Sequence, residues 1–319
     1  MRNLRFHRMV IGLVLLLTID MGSAAAGRNR FHRRRCFLPG PYYEAAQTPV
    51  AGPAASPASP GARPVVPRMP LAAETPSGQL PFVADKPEPR STTYTVLLPN
   101  GETASCGPRG DDQGDQDLNF LKNRVDQPGM WIQVDFDAVL NQAYPEAVGK
   151  HDRANWSEND MAAVKRYEGL PISIECYIAW ANDEGKESCN CHIDDQAMFD
   201  IHIWLTKEPA TIEGSKAPDR RRAVVAEVTP RLKPDHPQWT QNTLRRLAKE
   251  GKKVRVSGWL LLDQEHPEQL KATATHSQTR GTLWEIHPII EIEVWDNDQW
   301  VPLDNLQVMA GPIADRKAA

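Results

Sequence analysis

The chain has 319 residues, 40% of them hydrophobic, with a formal net charge of -4 and a pI near 6.2. That balance leaves no basic footprint for a phosphate backbone, so a nucleic-acid partner is not indicated. Thirteen prolines fall between Pro39 and Pro89. Such a stretch cannot bury enough apolar surface to fold, which leaves roughly 220 residues for one core.

The chain opens with Arg2, Arg5 and Arg8, an apolar run from Met9 to Leu17, and the small residues Ser23 to Gly27. This order predicts a secretory signal peptide over residues 1–26, and the run is short of the roughly 20 apolar residues that span a bilayer. Arg28, Arg30, Arg33, Arg34 and Arg35 follow at once. A positive flank there makes an uncleaved anchor the alternative, and it offers a membrane-surface contact through Arg28 to Arg35. The expected location is therefore periplasmic or secreted. Residues 27–92 read as a basic neck and a disordered Pro/Ala-rich linker, and 306–319 as a disordered tail.

Residues 93–168 read as a mostly helical extension. Asp111, Asp112, Asp115 and Asp117 lack the glycine and glutamate offsets of an EF-hand and read as a solvated loop with Asp117 near a helix start. Leu118, Leu121 and Val125 recur at helical spacing, and Ser157 with Asp160 marks a second helix start, followed by Met161, Val164 and Tyr167 on one face.

From Pro171 the period changes to two. Strands are predicted over Ile172 to Ala179, Phe199 to Leu205, Ala223 to Val228, Val254 to Leu262, and Leu283 to Val294. A helix from Gln241 to Lys249, stopped by Gly251, separates the third strand from the fourth. Three strands, a helix and two strands over 169–305 define an OB-fold-like five-stranded barrel in a mainly β protein, with Gly258 suited to its curvature.

Arg280-Gly281-Thr282-Leu283-Trp284-Glu285-Ile286-His287-Pro288, Val225 to Arg231, and Ser257-Gly258-Trp259-Leu260 resemble a family of uncharacterised bacterial hypothetical proteins, mostly exported or of unknown location. The resemblance extends to Leu121-Lys122-Asn123-Arg124 and Tyr167-Glu168-Gly169, so it spans about 117 to 303. It implies kinship with an OB-fold-like barrel carrying an R-G-T-x-W-E-I-H-P motif, and brings no activity.

Strand alternation then sorts the faces. Ile172, Ile174, Cys176 and Ile178 point inward from the first strand, Phe199, Ile201, Ile203 and Leu205 from the second, and Val224, Ala226 and Val228 from the third. Trp284, Ile286, Pro288, Ile290 and Ile292 do so from the fifth. Strands two, three and five are neighbours in an OB barrel, so Asp200, His202, Glu227 and His287 should share one outer face. Two imidazoles and two carboxylates suit a divalent zinc, manganese or iron ion. A metal there could generate a hydrolytic nucleophile, with Glu175 or Glu285 as base. The bland counterpart is an ordinary polar face with cross-strand pairs.

The loop Asp263, Glu265, His266 would close that site if it folded over His287. The competing function is a non-catalytic ligand-binding or envelope-associated module, with Tyr177, Trp204 and Trp259 as stacking platforms. Whether the chain is an enzyme is left open between the two. Five cysteines permit two disulfides, with Cys176 to Cys189 or Cys191 expected in an oxidising compartment. Cys189, Cys191 and His192 offer a lesser metal set.

Overall fold

Residues 66–69, 78–214, 216–274 and 276–306 are described by a computed structural model. The predicted signal peptide, the arginine neck, Cys36 and the tail beyond Leu306 lie outside the described residues.

Part of the predicted linker is ordered. Strand β1 (Arg68–Met69) pairs in parallel with β4 (Trp131–Gln133). Val66 and Leu80 are buried, and the Arg68 guanidinium binds Glu291 and Glu293. Proline removes donors without forbidding extended pairing along an edge, which is where this segment lies.

The extension holds three short helices and, in addition, a hairpin formed by β2 (Tyr94–Leu97) and β3 (Thr103–Cys106). Helix α1 (Gln116–Lys122) starts where Asp115 accepts from the Asp117 and Leu118 amides. Helix α2 (Phe136–Leu140) buries four of its five residues, and α3 (Glu158–Lys165) starts where Ser157 accepts from the Asp160 amide. Both caps use a short oxygen-bearing side chain to satisfy an amide with no partner inside the helix.

The barrel strands are β5 (Pro171–Asp183), β6 (Ile201–Thr206), β7 (Val224–Val228), β8 (Lys253–Leu262) and β9 (Trp284–Asp296), with α4 (Gln241–Glu250) between β7 and β8. Strand β5 pairs antiparallel with β6 and β8, β6 with β7, and β8 with β9, while β7 and β9 run parallel. The ring β5-β6-β7-β9-β8 closes on itself and is the OB topology expected from the element order. Strand β10 (Gln299–Pro302) extends β9 as a hairpin, and β4 adds to β5. Thr240 caps α4, and Gly251 ends it at φ +59°, a conformation an L side chain rarely adopts.

Ile172, Ile174, Cys176, Ile178, Ile201, Ile203, Leu205, Val224, Ala226 and Val228 all enter the core. The fifth strand differs in detail. Ser257 pairs with Glu291, Gly258 with Ile289 and Leu260 with Ile286, so β9 holds two extra residues against β8. Each bulge turns the alternation by one position. Ile289 therefore enters the barrel in place of Pro288 and Ile290, and Ile290 packs outside with Trp131 and Trp259. The second slip cancels the first, so Ile292 is again inside. Gly258 is required there, because a Cβ would lie 2.4 Å from the Pro288 carbonyl oxygen and 2.5 Å from Ile286 Cγ2. Phe199 precedes β6, ends a 3-10 turn and stays outside the core cluster.

Docking of the extension on the barrel runs through Leu121-Lys122-Asn123-Arg124. The Arg124 guanidinium lies 3.4 Å from the centre of a Trp259 ring and binds Asp126 at 2.8 Å. Asn123 donates to the Cys189 carbonyl at 2.8 Å and accepts from Arg231 at 2.6 Å. A disulfide joins Cys106 in β3 to Cys191. The expected Cys176 bridge does not form: Cys176 faces the barrel core, and its buried thiol and that of Cys189 are free.

Candidate metal centre

The outer face of β6, β7 and β9 is polar in sequence, yet it is not solvated. The extension and the Glu184–Asp200 loop cover it, so Asp200, His202, Glu227 and His287 are all 5% exposed or less. Antiparallel pairing sets His202 opposite Glu227, and the parallel β7–β9 register brings His287 beside that carboxylate. Glu227 Oε1 lies 2.5 Å from His202 Nε2, and its Oε2 lies 3.1 Å from His287 Nδ1. Of the four residues named from alternation, Glu227 therefore touches both histidines, and Asp200 has a ligand atom within 4.8 Å of those of Glu227 and His287.

They are joined by groups that alternation does not reveal. Glu184 holds His202 Nδ1 at 3.2 Å, and Glu285 holds His287 Nδ1 at 3.2 Å. Arg280 bridges Glu285 at 3.4 Å and Asp263 at 2.6 Å, and Asp263 in turn binds His266 at 2.8 Å. On the other side the Cys189 thiol lies 3.7 Å from Asp200 and 3.3 Å from Glu187. Lys122 binds Glu265 at 2.7 Å and lies 3.9 Å from Glu187. The Asp263–His266 loop thus reaches the site through Arg280 and Lys122, without lying on His287 itself.

Three combinations of side chains each bring one ligand atom per residue within 4.8 Å of one another: Asp200 with Glu227 and His287, Glu187 with His202 and Glu227, and Glu187 with Cys189 and Asp200. Asp200 Oδ1 and His287 Nε2 are buried and make no hydrogen bond, and buried Glu227 Oε2 makes none beyond its 3.1 Å ion-pair contact with His287 Nδ1. Buried polar atoms are nearly always partnered, so two such atoms on adjacent residues of one cluster need an explanation. A cation would supply one. Cys191 is committed to its disulfide, which removes Cys189, Cys191 and His192 as a metal set, and leaves the Cys189 thiol on the Asp200 side.

The electrostatics show how crowded the face is. Burial, followed by the charges of Glu187 and Glu227, pushes Asp200 up to about 7. Burial would lower both histidines, but Glu227 outweighs it, holding His202 well above its ordinary range and His287 at about 9. Burial would raise Glu227, yet the two imidazoles hold it well below the carboxylate range. Burial, then Glu227 and Asp263, raise Glu285, and burial with Asp200 and Glu187 raises the Cys189 thiol.

The aromatic residues do not form a shared platform. Trp259 is 1% exposed beneath Arg124, and Trp204 is buried beside Ala179, Ala223 and Val225 with Arg220 over its ring at 4.3 Å. Half-buried Tyr177 sits between Thr206 and Lys253 in the barrel wall. Tertiary cover has taken two of the three ring faces. Glu175 binds Lys253 on the barrel wall, outside the cluster, and Glu285 is fully buried against His287 and Arg280. A groove of about 1040 Å³ passes Asp115, Arg153 and Glu265, and none of the four predicted ligands lines it.

Glu184, Glu187 and Lys122 could not be found by alternation because they lie on loops and on α1. Cys189 carried a signal, the C-x-C-H spacing, but its use follows only from the fold. Fold and site together define an OB barrel whose outer face is sealed over a buried histidine and carboxylate cluster. No protein-family model, curated protein or solved structure matches the chain.

Proposed function

We propose that this is an exported, non-catalytic OB-fold module that holds a divalent cation between Asp200, Glu227 and His287. The observation that carries this reading is the pair of buried, unpartnered atoms Asp200 Oδ1 and His287 Nε2 beside Glu227, in a group whose ligand atoms lie within 4.8 Å of one another. A mixed nitrogen and oxygen set favours zinc, manganese or iron over calcium or magnesium. His287 has Glu285 on Nδ1, the outer arrangement that orients a metal-binding imidazole, and its buried Nε2 makes no hydrogen bond.

Burial favours a held cation over a metal-dependent hydrolase. A catalytic metal keeps an open position that substrate and water reach, and here all three ligands are 3% exposed or less. The Cys106–Cys191 disulfide supports an oxidising compartment, in line with the N-terminal export segment and with the arginine neck as a membrane-surface contact.

Metal analysis of untagged protein purified without chelator tests the reading. At least one equivalent of zinc, manganese or iron is expected, falling on Asp200→Asn or His287→Ala. Metal-free protein whose unfolding is unchanged by chelator or added metal would sink it. Export is tested separately by N-terminal sequencing of the mature chain, with a start near Gly27 expected.

A further inference from the structure

The four ligands read from alternation do not fall into one coordination group. Among the described residues, no combination within 4.8 Å contains both histidines: His287 falls with Asp200 and Glu227, and His202 with Glu187 and Glu227. Glu227 is common to both, and its two oxygens face opposite ways, Oε1 to His202 and Oε2 to His287. We propose that the centre is dinuclear, with a second divalent cation held by Glu187, His202 and Glu227, and with Glu227 bridging it to the cation of Asp200, Glu227 and His287. This rests on the cation-holding reading above.

Several features of the packing fit a bridged pair. Each imidazole has Nδ1 on an outer carboxylate, Glu184 or Glu285; Nε2 of His287 makes no hydrogen bond, and Nε2 of His202 meets Glu227 Oε1 at 2.5 Å, the nitrogen and oxygen that the second cation would take over. Glu187 and Asp200 also meet on the far side, where both approach the Cys189 thiol. Glu187, Asp200 and Glu227 therefore form a ring of three carboxylates between two histidines. Bridged metal pairs are held by carboxylates and histidines together, with the ions about 3.5–4 Å apart.

Charge points the same way. Glu184, Glu187, Asp200, Glu227 and Glu285 crowd one covered face. The cationic side chains touching them are Lys122 on Glu187, Arg280 on Glu285, and the imidazoles of His202 and His287 on Glu184, Glu227 and Glu285, which leaves the carboxylates in excess. Lys122 is closer to Glu265, at 2.7 Å, than to Glu187, at 3.9 Å, so Glu187 can ligate while Lys122 keeps its nearer partner. Buried carboxylates are retained only when paired or coordinated.

The test is a titration of the full chain, stripped with chelator, with Mn²⁺ followed by electron paramagnetic resonance. Two equivalents and an exchange-coupled signal are expected. Glu187→Gln and His202→Asn should each bind one equivalent and give the uncoupled six-line spectrum, with unfolding midpoints confirming that the variants are folded. Should Glu187→Gln fail to fold, His202→Asn carries the same test. A single equivalent in the unsubstituted chain overturns the dinuclear centre and leaves the single-cation reading standing, and two coupled ions in both variants overturn the placement of the second cation on Glu187 and His202. No bound Mn²⁺ at all, with no zinc bound either, overturns both.

Discussion

Replacing Arg124 by alanine should undo the seal over the barrel. Its guanidinium binds Asp126 through Nε at 3.0 Å and Nη2 at 2.8 Å and donates to the Pro87 carbonyl at 3.3 Å. It also stacks on Trp259, whose ring is 6.1 Å from that of Trp131. The Arg124 side chain is 2% exposed and that of Asp126 8%. Removing one partner of a buried pair leaves the other charge unpaired and costs about 3–5 kcal/mol. The Asp126 carboxylate keeps one amide, from Arg90, which places the loss at the low end, about 3 kcal/mol. Lost cation–π contact adds about 1 kcal/mol. Urea unfolding followed by tryptophan fluorescence reads both the loss and the exposure of Trp259. Arg124→Lys keeps the charge without the planar fork and should recover less than half of the loss. A change below about 1 kcal/mol for Arg124→Ala would refute the view that this contact fastens the extension to the barrel.

Gly258→Ala should destabilise by roughly 3 kcal/mol or more in the same assay, because the added methyl meets backbone atoms of β9 that cannot yield while the bulges persist; a neutral effect would mean that β9 can shift as a unit. His266 gives a pH dependence. Burial would lower its pKa, but Asp263 outweighs that and raises it from 6.5 to about 9. Protonated His266 therefore contributes stability that is fully present below pH 6.5 and lost as pH rises through about 9. The raised value corresponds to at most roughly 3 kcal/mol, which solvent screening reduces to about 1 kcal/mol because the side chain is 34% exposed. Unfolding free energies at pH 6 and pH 9.5 should converge between the original chain and His266→Gln at the higher pH; parallel curves would remove the assignment.

Much of the barrel was legible along the chain because a strand's two faces differ every second residue. Ile201, Ile203 and Leu205 had to be buried together, and that fixed His202 on the opposite face. The Gly251 stop and the Ser157 cap were equally local, each supplying a backbone conformation or an oxygen that its neighbours cannot. Where the period failed, at Pro288 to Ile290, the cause was contact with another strand: Gly258 lets β9 come close enough to bulge, and no residue of β9 announces it.

The periodicity of the sequence determined five strands, one crossover helix and the side of the sheet on which Asp200, His202, Glu227 and His287 stand. Tertiary structure alone decided that this side is dry. Alternation distinguishes two faces of a strand and cannot say whether the second face meets water or another part of the chain. Arg124 on Trp259, Asn123 on the Cys189 carbonyl and Cys106 bonded to Cys191 bring in the cover. Those contacts join residues far apart along the chain. They convert a polar surface that would have been solvated into a closed cluster whose charges must be neutralised from within.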